Sequence, residues 1–347
     1  FTPSPSLTLP LSPMPLYDLP QRPRRLRSSE NVRRLARETR LSTDDLIQPL
    51  FVIDGENERE AIGSMPGQYR LTVDRLVEEA RELDALGVPG VALFPAIPDA
   101  RKTPDAANAL DEDGLYPRAI RALAAEIPDL LIITDTALDP YNSDGHDGIV
   151  RDGEIDNDAT LDVMRGIAVL HARCGADIVA PSDMMDGRIG ALRMALDDAG
   201  FQSTALLSYT AKYASAYYGP FRDALDSAPR HQEGVPADKS TYQMDPANSD
   251  EALRELRLDL EEGADFVMVK PALPYLDVIR RMKEASDVPV VAYNVSGEYA
   301  MIKAAASNGW LEERACALEA VTSIRRAGAD VILTYYAKQI ATWLDEA

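Results

Sequence analysis

Cysteine and histidine are scarce in this 347-residue sequence, and each scarcity closes a class of function. Cys174 and Cys316 lie far apart and outside any C-x-x-C spacing. That leaves a disulfide scaffold and a cysteine-built zinc site unsupported, and a reducing compartment fits best. The three histidines are too scattered for a three-histidine metal centre. His146 lies in an aspartate-rich stretch, His171 reads as a helix-face residue and His231 as part of a polar loop. No apolar run approaches bilayer length. The first 23 residues, rich in Pro, Ser and Leu, lack the layout of a signal peptide. Positive charge is also in deficit: 36 Lys and Arg face 57 Asp and Glu, a formal net charge of −21. Such a surface does not suit nucleic acid or an anionic membrane, although an acidic exterior can surround a basic pocket. The basic patch Arg22, Arg24, Arg25 and Arg27 is either a solvated arm or one that embraces the acidic surface of a neighbouring subunit.

What the sequence does have is a rhythm. After a helical stretch at 31–40 come eight short apolar runs: 50–53, 90–94, 130–134, 178–180, 205–209, 266–269, 288–293 and 331–333. Amphipathic stretches at 73–86, 159–174, 189–199, 249–262, 275–285 and 311–327 separate them. Near-continuous apolar runs suit parallel strands covered by helices. The expected fold is α/β, a (β/α)8 TIM barrel over residues 41–347 with an extended N-terminal arm over 1–40. An open doubly wound sheet would show Gly-x-Gly-x-x-Gly after an early strand, and none is present. Thr72 and Asp74, and the cluster Asn248, Ser249 and Asp250, are expected helix starts, with Gly87 a stop. Gly-Ala-Asp recurs at 175–177, 263–265 and 328–330, each time after a helix and before a strand. Its Gly suits a left-handed helix exit, and its Asp is expected to tie the turn locally. Two long connections, 135–158 and 219–250, leave the carboxyl ends of strands. In a barrel that is the active-site face, where such loops contact ligand or close as a lid.

Two lysines carry the chemistry. Lys212 and Lys270 each close an apolar run, where an ammonium is costly unless compensated. Burial or a neighbouring cation favours the free amine, which attacks a ketone to give an imine, an electron sink for carbon–carbon bond making. The pair suggests either one lysine tuning the other or two carbonyl substrates each held as an imine. Otherwise one or both snorkel to solvent or bind carboxylates. A class I aldolase would need only one of them, and a non-catalytic metabolite-binding barrel would need no desolvated amine. The loop after the third run gathers Asp135, Asp139, Asp144, His146 and Asp147. It can bind a hard metal, hold a substrate ammonium and share proton transfer, or simply form Asx turns. Asp183 and Asp186 are further candidates for pocket contacts, and Arg188 for pairing across the barrel top. Arg222 can clamp a carboxylate, with Lys239 and Gln243 closing on the same group. Ser296 and Tyr335 can donate to a second carboxylate.

Several stretches together resemble the porphobilinogen synthase (5-aminolevulinate dehydratase) family. They are Ile133-Thr-Asp-Thr-Ala-Leu-Asp-Pro-Tyr, Val179-Ala-Pro-Ser-Asp-Met-Met-Asp-Gly-Arg, Ser208-Tyr-Thr-Ala-Lys-Tyr with its continuation to Arg222, Thr241-Tyr-Gln-Met-Asp-Pro and Val267-Met-Val-Lys-Pro. Val295-Ser-Gly-Glu-Tyr and Leu333-Thr-Tyr-Tyr add to them. The resemblance implies a lyase that condenses two molecules of 5-aminolevulinate to porphobilinogen, with loss of two waters, in tetrapyrrole biosynthesis. It implies Schiff bases at Lys270 for the propionate-side substrate and at Lys212 for the acetate-side one. Ser296 and Tyr335 would bind the propionate-side carboxylate; Arg222, Lys239 and Gln243 would bind the acetate-side one, under a lid at 226–239. Where zinc-dependent members have three cysteines, this sequence has Ala137, Asp139 and Asp147, which is similar to the aspartate-rich, magnesium-stimulated class. In that class the two aspartates orient the acetate-side amino group. No active-site zinc is expected. Mg(2+) is implied at a remote allosteric or structural site near a subunit interface, with Glu251 at the metal-binding glutamate, and a monovalent cation is possible at the aspartate loop. The implied assembly is a homo-octamer built from arm-hugging dimers, in the cytoplasm or, for a plant or alga, in the plastid stroma.

Overall fold

Eight parallel strands close on themselves in the computed structural model, which describes residues 19–230 and 233–346. The strands are β1 (Leu46–Val52), β2 (Gly90–Pro95), β3 (Leu131–Thr136), β4 (Ile178–Pro181), β5 (Ala205–Lys212), β6 (Phe266–Lys270), β7 (Val290–Asn294) and β8 (Val331–Thr334). Closure comes from β1 pairing with β8 through Leu46↔Ile332 and Ile47↔Leu333, which rules out the open sheet. The principal outer helices are α1 (Val73–Ala85), α2 (Leu115–Glu126), α3 (Asn157–Cys174), α4 (Arg188–Asp198), α5 (Asp250–Glu262), α6 (Leu276–Ala285), α7 (Glu313–Ala327) and α8 (Ala337–Asp345). Every residue of β1, β2, β4 and β7 is buried, because the strands face side chains inside the barrel and helices outside it.

All eight expected strands are present, with shifted ends. β1 begins at Leu46 rather than Leu50, since Gln48 and Pro49 interrupt the apolar run yet lie in register with β2. Helices α2 and α8, Gly219–Leu225 and Ser296–Ser307 were not expected. A hairpin of Ile149–Arg151 against Glu154–Asp156 occupies part of the connection read as a loop. The start at Ser249 is real, but its hydroxyl does not cap the helix; it accepts a hydrogen bond from Arg281.

The Gly-Ala-Asp repeat works differently from expectation. Its glycines have φ of 108°, 101° and 126°, as a left-handed exit requires. Its aspartates do not tie their own turns. Asp177, Asp265 and Asp330 each accept, at 2.8 Å, the backbone N–H of Ile132, Leu206 and Val290 on the neighbouring strand. The motif therefore fixes strand-to-strand stagger at the end of the barrel opposite the lysines.

The chain divides into two units, Phe1–Arg40 and Leu41–Ala347. Within the first, a 3-10 turn (Pro23–Arg27), with Arg22 just before it, carries the exposed basic patch. The helix Glu30–Ala36 follows, with Ser29 accepting from the Val32 N–H. Residues 1–18 and His231 lie outside the described residues.

Candidate active site

Lys212 and Lys270 end adjacent strands and are direct register partners. Each is only 5% exposed. Their surroundings differ. The Lys212 ammonium position is polar: Nζ donates to the Ser182 carbonyl and lies 3.5 Å from Asp147 Oδ2. Lys270 Nζ is ringed by aromatic faces, with centroids of Tyr209, Tyr218, Phe221 and Tyr293 at 5.0, 5.2, 5.0 and 4.7 Å. It has no ion pair among the described residues. Burial and the nearby Lys212 charge push its amine down to about 7, against the pull of Asp135, Asp147 and Asp139.

The aspartate loop lies against these amines. Asp147 is 1% exposed and also accepts from Lys239 at 3.1 Å and Gln243 at 3.4 Å. Burial alone would raise its carboxyl, but Lys212 and Lys239 together hold it well below the usual range. Asp139 meets Lys239 at 3.4 Å. Burial lowers the Lys239 amine, but Asp139 and Asp147 overcome this and hold it above its usual value.

Asp135, at the buried end of β3, behaves oppositely. Burial and the Asp139 charge raise its carboxyl to about 7, with Lys270 opposing, and Oδ1 has no partner among the described residues. The sequence placed Asp135 only within a dense loop. A charged residue inside an apolar strand run, one residue after Thr134, was the signal that singles it out.

Described residues of the segment 226–239 form a cover against the aspartate loop. Lys102 Nζ donates to the Asp226 carbonyl at 2.6 Å, and the Arg230 N–H to the Asp144 carbonyl at 2.9 Å. His146 is fully buried beneath it, with Nε2 2.9 Å from the Pro236 carbonyl and Nδ1 3.0 Å from the Tyr242 hydroxyl. Burial lowers its pKa, so the neutral ring donates to Pro236 and accepts from Tyr242. Gly145 has φ +73°, and a Cβ there would run into the Ala228 carbonyl. Gly145→Ala should therefore displace the cover and lower kcat/KM by roughly 10²-fold, measured by steady-state kinetics. Wild-type kinetics would show that the cover's position is immaterial.

Arg222 is half-buried, without an ion pair among the described residues, and opposes the charge on Lys239. Ser296 and Tyr335 lie on the Lys270 side. Ser296 is not a strand end; it opens the helix Ser296–Ser307, and its Oγ accepts from the Phe221 N–H at 3.0 Å. Tyr335 shares a 2.9 Å hydrogen bond with Tyr293, whose ring faces Lys270. Arg188 does not pair across the barrel top. It is buried against Ser208 Oγ at 2.9 Å and Asp259 of α5 at 3.6 Å, a packing role on the outer side of β5. Asp183 is buried and accepts from the Met185 N–H, whereas Asp186 is exposed. Glu251, in the first turn of α5, accepts from Asn248 at 2.8 Å and is apart from the lysines, in a groove of about 460 Å³.

The family model for delta-aminolevulinic acid dehydratase matches residues 20–343. The chain belongs to the delta-aminolevulinic acid dehydratase family. A chloroplastic member from Physcomitrium patens is 56% identical over 328 residues, covering 94% of this chain and 74% of its own. A member from Synechococcus elongatus is 52% identical over 93% of this chain and 98% of its own. A crystal structure of the Toxoplasma gondii enzyme in complex with the product porphobilinogen aligns with TM-score 0.92 at 50% identity, over 94% of this chain and 92% of that one. As a member of the family the chain is a lyase of tetrapyrrole synthesis, condensing 5-aminolevulinate to porphobilinogen. The family is metal-dependent in general.

Proposed function

We propose that the condensation runs through two imines, the propionate-side substrate on Lys270 and the acetate-side substrate on Lys212. The supporting observation is the register-paired, buried lysines, one of them an amine near neutrality in an aromatic cage. Each amine adds to a substrate ketone and expels one water, which accounts for both waters lost. Loss of a proton beside the acetate-side imine gives an enamine, whose carbon bonds to the propionate-side imine carbon. Elimination then frees Lys270. The propionate-side amine bonds to the acetate-side imine carbon and frees Lys212, and loss of a ring proton leaves the pyrrole. Holding both partners supplies effective molarity, and the cover keeps water off the imines.

Roles follow from the surroundings. Asp139 and Asp147, already occupied by ammonium groups, orient the acetate-side amino group. Asp135, poised near neutrality beside Lys270, carries protons. Arg222, Lys239 and Gln243 receive the acetate-side carboxylate, Ser296 and Tyr335 the propionate-side one. A colorimetric pyrrole assay with 5-aminolevulinate as sole substrate tests the reaction; absence of product would overturn it.

The metal proposed is magnesium at Glu251, in an assembly of eight subunits built from dimers through their arms. Ala137, Asp139 and Asp147 offer no thiolate at the active site. The groove at Glu251 presents oxygen donors, with Asp186, Asp245 and Glu255 alongside. Among the described residues no three His, Cys, Asp or Glu side chains form a cluster, so the proposal rests on Glu251 and on a magnesium ion's readiness to keep several waters. Magnesium held by Glu251 would supply positive charge near the start of α5; two residues before that start, the Asn248 carbonyl accepts from the hydroxyl of Tyr213, the residue after Lys212. Added magnesium should raise activity, and a zinc-selective chelator should leave it largely intact. Strong inhibition by that chelator would contradict the assignment. No helix among the described residues is long and apolar enough to cross a membrane. The compartment proposed is the cytoplasm, or the plastid stroma for a plant or alga source.

A further inference from the structure

Glu298 is completely buried and takes part in no step described above. It sits in the first turn of the helix Ser296–Ser307, two residues after Ser296. Its carboxylate accepts the backbone N–H groups of Leu273 and Val295, and the Asn294 side-chain amide at 3.3 Å. Leu273 belongs to the turn that follows Lys270. Asn294 ends β7, and its Oδ1 accepts from the Thr334 hydroxyl at 2.9 Å. Thr334 ends β8, immediately before Tyr335, and its oxygen accepts the Tyr336 N–H at 3.2 Å. Glu298, Asn294 and Thr334 are all fully buried.

A carboxylate in such a place is costly unless its hydrogen bonds are supplied. Here they come entirely from neutral N–H donors, with no ion pair to Glu298 among the described residues. Burial raises its carboxyl to about 7 in spite of them. An apolar residue would fill the same space at lower cost. What the polar chain does instead is tie together three strand ends, those of β6, β7 and β8. Lys270 stands on the first, Ser296 follows the second and Tyr335 follows the third.

We infer that the Glu298–Asn294–Thr334 chain is a positioning device, holding the carboxylate-binding pair Ser296 and Tyr335 in register with the Lys270 amine. The inference rests on the roles given to Ser296 and Tyr335 under the proposed function. A keto acid anchored at its carboxylate presents its ketone to Lys270 only if anchor and amine keep a fixed separation, and misplacements of about 1 Å are already expensive. Glu298 touches no reacting atom in this scheme; it acts through Ser296 and Tyr335.

The test uses borohydride trapping at Lys270, read by peptide mass spectrometry, with two probes. 4-Oxopentanoate has the ketone and the carboxylate; 2-pentanone has the ketone alone. The wild-type enzyme should trap the keto acid in preference to the neutral ketone. Glu298→Gln places an amide NH2 against a backbone donor, and should reduce that preference about tenfold, as expected for a misplaced charged hydrogen bond. Thr334→Val cuts the far end of the chain with little change of volume, and should reduce it in the same direction. In both, trapping of 2-pentanone should change little. A wild-type preference in folded Thr334→Val, or an equal loss for both probes, would overturn the inference. No preference in the wild-type enzyme would show that the roles of Ser296 and Tyr335 are wrong, and would remove the inference with them.

Discussion

Replacing Lys270 with methionine should abolish pyrrole formation, a loss on the order of 10⁴-fold or more, because no other amine stands where the propionate-side ketone would bind. Methionine is unbranched and only one atom shorter, and it suits the cage of Tyr209, Tyr218, Phe221 and Tyr293, so the fold should survive, as a thermal melt will show. Substantial residual turnover would favour an aldolase-like reading in which Lys212 alone is productive. The same cage fixes a pH dependence. With the Lys270 amine lowered to about 7, the ammonium dominates below that pH and cannot attack a ketone. The rate of imine formation at Lys270 should therefore rise with pH up to about 7 and flatten above it. An unperturbed lysine would keep rising toward about pH 10.4.

Asp135→Asn should lower kcat by roughly 10²- to 10⁴-fold, the usual range for a lost general acid–base, while the Lys270 imine can still be trapped. The contrast between Asp135 and Asp147 carries this expectation. Two carboxyl groups of one site are driven apart: Asp147 is held ionised by two lysines, and Asp135 is raised to about 7 by burial and by Asp139. A group near neutrality can both take and return a proton, whereas one held far below the usual range is better suited to fixing an ammonium. A kcat within a few-fold of wild type for Asp135→Asn would reassign proton transfer to Asp139, Asp147 or the displaced lysine amine.

The barrel was legible because its strands are buried on both faces and therefore read as unbroken apolar runs. Where that condition fails, the reading fails too: β1 was shortened by Gln48 and Pro49, which are strand residues all the same. Helix α2 was missed although its apolar face is buried, since Pro117 in its first turn reads as a breaker but is tolerated there. Lys212 and Lys270 stood out as charges closing apolar runs. Their unlike surroundings did not, because the aromatic cage is assembled from two strands, β5 and β7, and the segment holding Tyr218 and Phe221. The contact of His146 with Pro236 spans 90 residues and has no local signature. Glu298 was visible only as one letter of a family motif; its partners follow β6 and end β7, segments that strand pairing rather than local sequence brings together.

The central claim is that each lysine holds a substrate ketone. Borohydride reduction of the wild-type enzyme during turnover of 5-aminolevulinate, followed by peptide mass spectrometry, reads both sites at once. The account predicts a reduced substrate adduct on Lys270 and, at saturating substrate, a second on Lys212. Turnover with neither lysine modified would contradict it.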